Sequence, residues 1–232
     1  MRAILLAAGM GTRLRPLTLE TPKSLVVVNG KPLLERQVEY LKEIGINEII
    51  VLTGYLNEKF SYLQEKYGVK LVHNPYYDKY NNIYTMYLVK EYLGDSYVID
   101  ADIYLNENFL EKSIDKSTYF SAYKTDVKGE WVIHHDESQK VYDIEVRDGD
   151  GYILSGVSYW NQKDASKIVE KLEEAIENRD FENLYWDDIV KENLDILDVY
   201  IKKISSDACY EIDSLEDLAS VEELMAITET YK

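Results

Sequence analysis

Residues 2–25, RAILLAAGMGTRLRPLTLETPKSL, decide how the rest of the chain is read. Ala3 to Ala7 is a short apolar run of the kind that forms a buried strand. It breaks into Ala8-Gly9-Met10-Gly11-Thr12-Arg13, where glycines permit positive φ and close backbone approach to a ligand. Lys23 follows ten residues after Arg13. A strand ending in a glycine loop with Arg and Lys nearby suits a polyphosphate, because loop N–H groups and cations share its negative charge. Two commoner phosphate loops are excluded. No Gly-Lys-Ser/Thr closes the loop as the Walker pattern requires, and Leu14 stands where the dinucleotide fingerprint needs a third glycine.

The stretch resembles the nucleotidyltransferase signature: a leucine-alanine-alanine-glycine loop, then Gly-Thr-Arg-Leu, Pro-Leu-Thr and a Pro-Lys. Leu6, Ala7, Ala8, Gly9, Gly11, Thr12, Arg13, Leu14, Pro16, Leu17, Thr18, Pro22 and Lys23 match it in order. An ordinary strand-to-helix turn is the alternative for an isolated G-x-G, and the length of the match argues against it.

At 232 residues the chain is long enough for one large α/β domain with a full core, 1–232, and the sequence shows no linker or repeat. No apolar run approaches the roughly 18 residues that span a bilayer, and no signal-peptide pattern precedes the first strand. Cys209 is the sole cysteine, which excludes an intrachain disulfide and points to the cytoplasm. A net charge of −17 disfavours nucleic acid and anionic membranes as partners. The same charge suits a triphosphate ligand only if divalent cations and local basic groups carry the phosphates, and it would favour a cationic acceptor.

Beyond the loop, helical spacing over 32–44, 57–67 and 81–93 alternates with buried strands over 48–53, 69–73 and 96–100. Four strand–helix alternations with short links predict a mainly parallel, Rossmann-like sheet covered by helices on both faces. Ligands then bind beyond the carboxyl ends of the strands. Residues 118–123, 131–135, 141–146 and 152–159 read as separate strands of a β-rich lobe around 103–160, with Asp148-Gly149-Asp150-Gly151 as a turn. Helices are expected over 163–177, 185–193 and 215–228, with strands over 197–204 and 210–212.

Asp100-Ala101-Asp102 ends the fourth strand, where a carboxylate can hold Mg²⁺, which takes one or two protein carboxylates beside substrate phosphates. Asp213, between a strand and a helix, reads either as a helix N-cap or as a second metal ligand. Asp100 reads as structural. The aromatic content is skewed to 21 tyrosines and three tryptophans against four phenylalanines, so most of these rings are half-buried with a wet hydroxyl. Trp131, in Gly-Glu-Trp, and Trp186, in Tyr185-Trp186-Asp187-Asp188, stand beside acidic residues. Paired rings with a carboxylate hold a quaternary ammonium through cation–π attraction, although core packing is the usual role of a single Trp.

Over nearly its whole length the chain is similar to the bacterial CTP:phosphocholine cytidylyltransferases. The matching stretches include LLAAGMGTRLRPLT, TPKSLV, YLKEIGINEIIVLTGY, YNNIYTMYLVKE, SYVIDADIYL, ILSGVSYW, LYWDDIVKEN and YEIDSLEDL. The resemblance implies transfer of CMP from CTP to phosphocholine, with CDP-choline and pyrophosphate as products. It implies Mg²⁺ on Asp102 and Asp213, and a nucleotide lying along Leu6 to Arg13 and Lys23, near Gly54, Tyr80, Asn82 and Ala101, the alternative for the Asn81-Asn82 pair being a cap of the helix that follows. It also implies a choline pocket of Trp131, Tyr185, Trp186 and Asp187. Many relatives have Asn directly after the first metal-binding Asp, and here that residue is Ile103. Lys23 and Arg13 are the expected catalytic cations: a compact point charge at the α-phosphate and a planar fork on the β- and γ-phosphates. Alternatives are the same chemistry on aminoethylphosphonate or another small phospho-acceptor, or a catalytically silent nucleotide-sensing subunit on the same fold.

Overall fold

The computed structural model describes residues 1–178 and 181–230. Strand β1 (Arg2–Ala7) sends Ala3, Leu5 and Ala7 to one face of the sheet and Ile4 to the other, the alternation that strand geometry imposes. A small ribbon, β2 (Val27–Val28) and β3 (Lys31–Pro32), leads into α1 (Leu33–Glu43). The alternation continues through β4 (Ile49–Thr53), α2 (Tyr62–Tyr67), β5 (Lys70–His73), α3 (Asn82–Tyr87) and β6 (Ser96–Asp100). Then come β7 (Ile103–Leu105), the long strands β8 (Ser117–His135) and β9 (Val141–Ile153), and β10 (Val157–Trp160). Helices α4 (Gln162–Asn178) and α5 (Trp186–Lys191), strands β11 (Val199–Ile204) and β12 (Cys209–Glu211), and α6 (Leu215–Thr230) complete the chain.

The main sheet runs β11-β8-β10-β6-β1-β4-β5, with β9 paired to β8. The block β6, β1, β4 and β5 is parallel, as the alternation predicts. Strand β10 is antiparallel to both β6 and β8, and joins that block to the parallel pair β8 and β11. Leu34, Val38 and Leu41 of α1 and Leu63 of α2 pack on one face, against Leu5, Val51 and Ile99. Ile83 and Met86 of α3, Ile168 and Leu172 of α4 and Ile189 of α5 pack on the other, against Ile4, Ile50 and Val98. Burying each such side chain is worth about 1.5–3 kcal/mol, so the sheet is fixed by covering both faces. Among the described residues, no helix is long and apolar enough to cross a membrane.

The β-rich lobe differs from the sequence expectation. Residues 118–123 and 131–135 belong to one strand, β8, and Asp148-Gly149-Asp150-Gly151 lies within β9 rather than in a turn. The carboxylates of this segment replace missing ladder bonds: Asp148 accepts from the Gly129 N–H at 2.8 Å and Asp150 from the Asp126 N–H at 2.9 Å. Arg147 donates to the carbonyls of Asp148 and Asp150. The turn lies at Asp136, whose carboxylate accepts from the N–H groups of Ser138 and Lys140. Helix α3 stops at Tyr87, short of the expected Leu93, in a run rich in aromatic and β-branched residues that lose side-chain freedom in a helix.

Candidate active site

The carboxyl ends of β1 and β6 open on one cleft. Past β1 the chain turns at Gly11, in the left-handed region at φ 57°. A Cβ there would stand 2.7 Å from Lys23 Cβ, so glycine lets the lysine stem pass the loop. Thr18 Oγ1 donates to the Gly11 carbonyl at 2.7 Å and pins the loop. At the end of β4, a Cβ on Gly54 would come within 2.5 Å of both the Ala8 carbonyl and Tyr77. Gly54 therefore sits behind the cavity wall and sets the position of the residues that form it.

The turn after β6 carries Asp100, Ala101 and Asp102. Buried Gln37 of α1 holds it from beneath, its Nε2 donating to the carbonyls of Asp100 at 3.0 Å and Ile103 at 2.8 Å. Strands β7 and β12 pair antiparallel, with Ile103 opposite Glu211, and this brings Asp102 and Asp213 together from distant parts of the chain. Ser214, not Asp213, caps α6: Ser214 Oγ accepts from the Asp217 N–H at 3.1 Å while Asp217 accepts from the Ser214 N–H at 2.7 Å. That leaves the Asp213 side chain free to face the cleft.

Lys23, largely buried, is 2.6 Å from Asp102 and also pairs with Asp213. Burial pulls its pKa down, but the two carboxylates outweigh burial and hold the ammonium above its ordinary range. Asp213 is held below the usual carboxylate range, where Lys23 and Arg13 overcome the opposing effect of burial. The exposed Arg13 guanidinium reaches Asp213 at 2.5 Å.

Sequence reasoning missed Glu211. Oxygens of Asp102, Glu211 and Asp213 lie within 4.8 Å of one another. Burial, then the charges of Asp102 and Asp213, pushes Glu211 up to about 8. The signal was available, because Glu211 and Asp213 are two residues apart at the end of a strand. Three hard oxygen donors gathered beside an open cleft fit a small divalent cation such as Mg²⁺.

Two cavities meet at this cluster. The first, about 200 Å³, is lined by Leu6, Ala7, Ala8, Gly9, Lys23, Tyr80, Asn82 and Ala101, all expected beside a nucleotide, and also by Ser24, Tyr77 and Thr85. Gly11, Thr12 and Arg13, also expected beside the nucleotide, do not border it; Thr12 is exposed, and Arg13 borders the second cavity instead. The second, about 380 Å³, contains every expected acceptor residue: Trp131, Tyr185, Trp186 and Asp187. Asp100, read from sequence as structural, borders both cavities. Burial, reinforced by the charges of Asp102 and Asp187, raises its pKa well above the usual range.

The tryptophans do not pair with each other. Trp131 meets Tyr185 edge-to-face at 5.9 Å, and Trp186 meets core Trp160 at 5.5 Å. Trp186 is 2% exposed, so it is both a cavity wall and a core ring. Tyr119 donates to Asp187 at 2.7 Å. Burial dominates over that hydrogen bond and pushes Asp187 up to about 7. Ile103 is buried against Gly156 and offers the acceptor cavity an apolar wall where relatives are expected to have an amide.

A glycine-loop cavity, an acidic cluster around a buried lysine and an adjoining aromatic cavity define a nucleotide-transfer site on a Rossmann-like sheet. The Nucleotidyl transferase family model matches residues 2–203, and the chain belongs to that family. It is 52% identical to the choline-phosphate cytidylyltransferase of Streptococcus pneumoniae strain R6, over 97% of this chain and 98% of the relative. It is 36% identical to the 2-aminoethylphosphonate cytidylyltransferase of Lancefieldella rimae, over 94% of this chain and 90% of that one. The solved structure of the CTP:phosphocholine cytidylyltransferase from S. pneumoniae superposes with a TM-score of 0.95 at 53% identity, covering 97% of this chain and 98% of that chain.

Proposed function

We propose that the chain is a choline-phosphate cytidylyltransferase, which transfers CMP from CTP to phosphocholine and releases pyrophosphate. The observation that carries this reading is the junction of the two cavities at Lys23, one lined by the glycine loop and the other walled by Trp131, Tyr185, Trp186 and Asp187. A trimethylammonium group is attracted to ring faces and needs no hydrogen-bond donor, and the carboxylate of Asp187 balances its charge.

In the reaction a phosphate oxygen of phosphocholine attacks the α-phosphorus, a new P–O bond forms, and the bond to the pyrophosphate oxygen breaks. The attacking oxygen is already anionic, so no general base is required, and positioning and charge stabilisation carry the rate. Lys23 lies where it can neutralise the α-phosphate and the incoming phosphate together. Arg13, exposed at the cleft mouth, is placed to fork onto the departing phosphates. Asp102, Glu211 and Asp213 would hold Mg²⁺, which when bound neutralises charge on the triphosphate. The lone, buried Cys209 agrees with a cytoplasmic enzyme.

The 2-aminoethylphosphonate relative and the additional carboxylates Asp100 and Glu130 in the acceptor cavity favour a second reading, the same transfer to a primary-amine acceptor. Pyrophosphate release with CTP and Mg²⁺, compared across phosphocholine, phosphoethanolamine and 2-aminoethylphosphonate, separates the two. A clear preference for phosphocholine is expected. Preference for 2-aminoethylphosphonate would replace the acceptor while leaving Lys23 and the acidic cluster in place, and silence with all three would remove the transferase reading.

A further inference from the structure

Asn81 and Asn82 open α3, in the wall of the nucleotide cavity, and both reach across to the segment that leads into α5. The Asn81 N–H donates to the Glu182 carbonyl at 2.9 Å, and Asn81 Nδ2 donates to the Asn183 carbonyl at 3.3 Å. The Trp186 N–H donates to Asn82 Oδ1 at 2.9 Å. That last bond identifies the oxygen end of the Asn82 amide, so Nδ2 is the end left for other partners. Among the described residues Nδ2 has none.

Four residues border both cavities: Lys23, Asp100, Asp102 and Asn82. The first three are titratable: Lys23 and Asp102 pair with each other in the acidic cluster, and Asp100 lies beside it. Asn82 alone is neutral, and it alone grips the backbone of α5. That grip matters because α5 has six residues, too few to be stable without outside contacts. The Trp186 N–H belongs to its first turn, where backbone donors have no partner within the helix. Asp188 satisfies the Tyr185 N–H at 2.8 Å, and Asn82 satisfies that of Trp186. The same helix carries Trp186 and Asp187, two of the walls of the acceptor cavity.

We propose that Asn82 is a positioning residue that couples the two sites. A nucleotide that engages Nδ2 holds the amide in the orientation whose Oδ1 receives the Trp186 N–H, and so orders the start of α5 before the acceptor arrives. By reciprocity, an acceptor that orders α5 presents Nδ2 to the nucleotide and tightens nucleotide binding by the same factor. This inference rests on the nucleotide assignment of the first cavity but not on which acceptor fills the second.

Hydrogen exchange tests it without any acceptor. Amides of residues 8–13 and 185–191 are followed in the wild type, Asn82→Ala and Asn82→Asp, each with and without saturating CTP and Mg²⁺. In the wild type CTP should slow both segments, the second by about fivefold or more, the lower end of ordinary coupling. Asn82→Ala should exchange faster at 185–191 even without nucleotide, and should lose the slowing there while keeping it at 8–13. Asn82→Asp keeps an oxygen for Trp186 but loses Nδ2, so its basal exchange should stay near wild type while the nucleotide response of 185–191 disappears. A purely structural asparagine would leave that response intact in Asn82→Asp. Slowing at 8–13 with none at 185–191 in the wild type, or a response that survives in either variant, overturns the coupling. No slowing at 8–13 in the wild type overturns the nucleotide assignment and the coupling with it.

Discussion

Lys23 Nζ stands 2.6 Å from Asp102 and also pairs with Asp213, so a single buried ammonium ties the turn after β6 to the turn before α6. Replacing it with alanine removes the only buried cation from the acidic cluster among the described residues. Turnover in Lys23→Ala should fall by about 10²–10³, the scale of losing one preorganised electrostatic group. Lys23→Arg should not restore it, because a planar fork does not fill the place of a point charge. Steady-state pyrophosphate release, with circular dichroism to confirm the fold, checks both variants; near-normal turnover in Lys23→Ala would remove Lys23 from the chemistry, and in Lys23→Arg would show that any cation suffices there.

Trp131 and Trp186 give different experiments because they are buried differently. Trp186 packs on Trp160 in the core, so Trp186→Ala should cost about 3–5 kcal/mol of stability before any effect on binding can be read. Trp131 is half-buried, with Lys191 5.5 Å from its ring centroid. Trp131→Ala should raise the phosphocholine KM by about 5–30-fold, the range of a partly desolvated cation–π contact, with the CTP KM nearly unchanged. Equal changes in both would take Trp131 out of the acceptor site.

Asp187 sets a pH dependence. Its carboxyl is pushed up to about 7 by burial, ahead of the hydrogen bond from Tyr119 that opposes the shift. Only the ionised form balances a choline cation, so the phosphocholine KM should rise as pH falls below about 7, and Asp187→Asn should have a higher but flatter profile. Stability runs the other way. A folded-state pKa raised above the unfolded value of about 3.9 means that the folded chain holds the proton longer, so the contribution is present at low pH and is lost as pH rises through about 7. The Tm of the ligand-free protein should therefore fall between about pH 4 and 7 more steeply in the wild type than in Asp187→Asn, and the two profiles should run parallel above that. Profiles that ran parallel below about pH 7 as well would remove this role.

Gly54 tests the nucleotide cavity from behind. Gly54→Ala would drive a methyl group into the Ala8 carbonyl and Tyr77, each 2.5 Å away, and both are backbone-anchored. About 1–3 kcal/mol of destabilisation is expected from such overpacking, with a rise in the CTP KM as Ala8 and Tyr77 shift. An unchanged Tm and CTP KM would show that the wall yields without cost.

The acidic cluster predicts metal dependence. Glu211→Gln should raise the Mg²⁺ concentration for half-maximal turnover by about tenfold or more, and should reduce the Tm gain that Mg²⁺ gives the ligand-free protein. The Tm readout is independent of turnover. A variant as responsive to Mg²⁺ as the wild type would exclude Glu211 from the cation site.

What the sequence determined by itself was local. The apolar run 3–7 ending in Gly9 and Gly11, and the alternation of buried strands with amphipathic helices through residue 100, follow from short-range periodicity and turn chemistry, and they yielded the parallel block and the loop beside Lys23. Matched motifs added the residues of both cavities. Tertiary structure alone decided the rest. Asp213 was a cap or a ligand until Ser214 proved to be the cap, and Glu211, whose two-residue spacing from Asp213 the sequence shows, met Asp102 only through the pairing of β12 with β7. The tryptophans face one cavity from different elements, each with its own partner. Asn82 became a link between cavities only when the Trp186 N–H was seen to reach it. The reason is common to all four. A side chain's role as cap, ligand or core ring depends on which distant backbone and charges surround it, and long-range pairing leaves no periodic trace in the sequence.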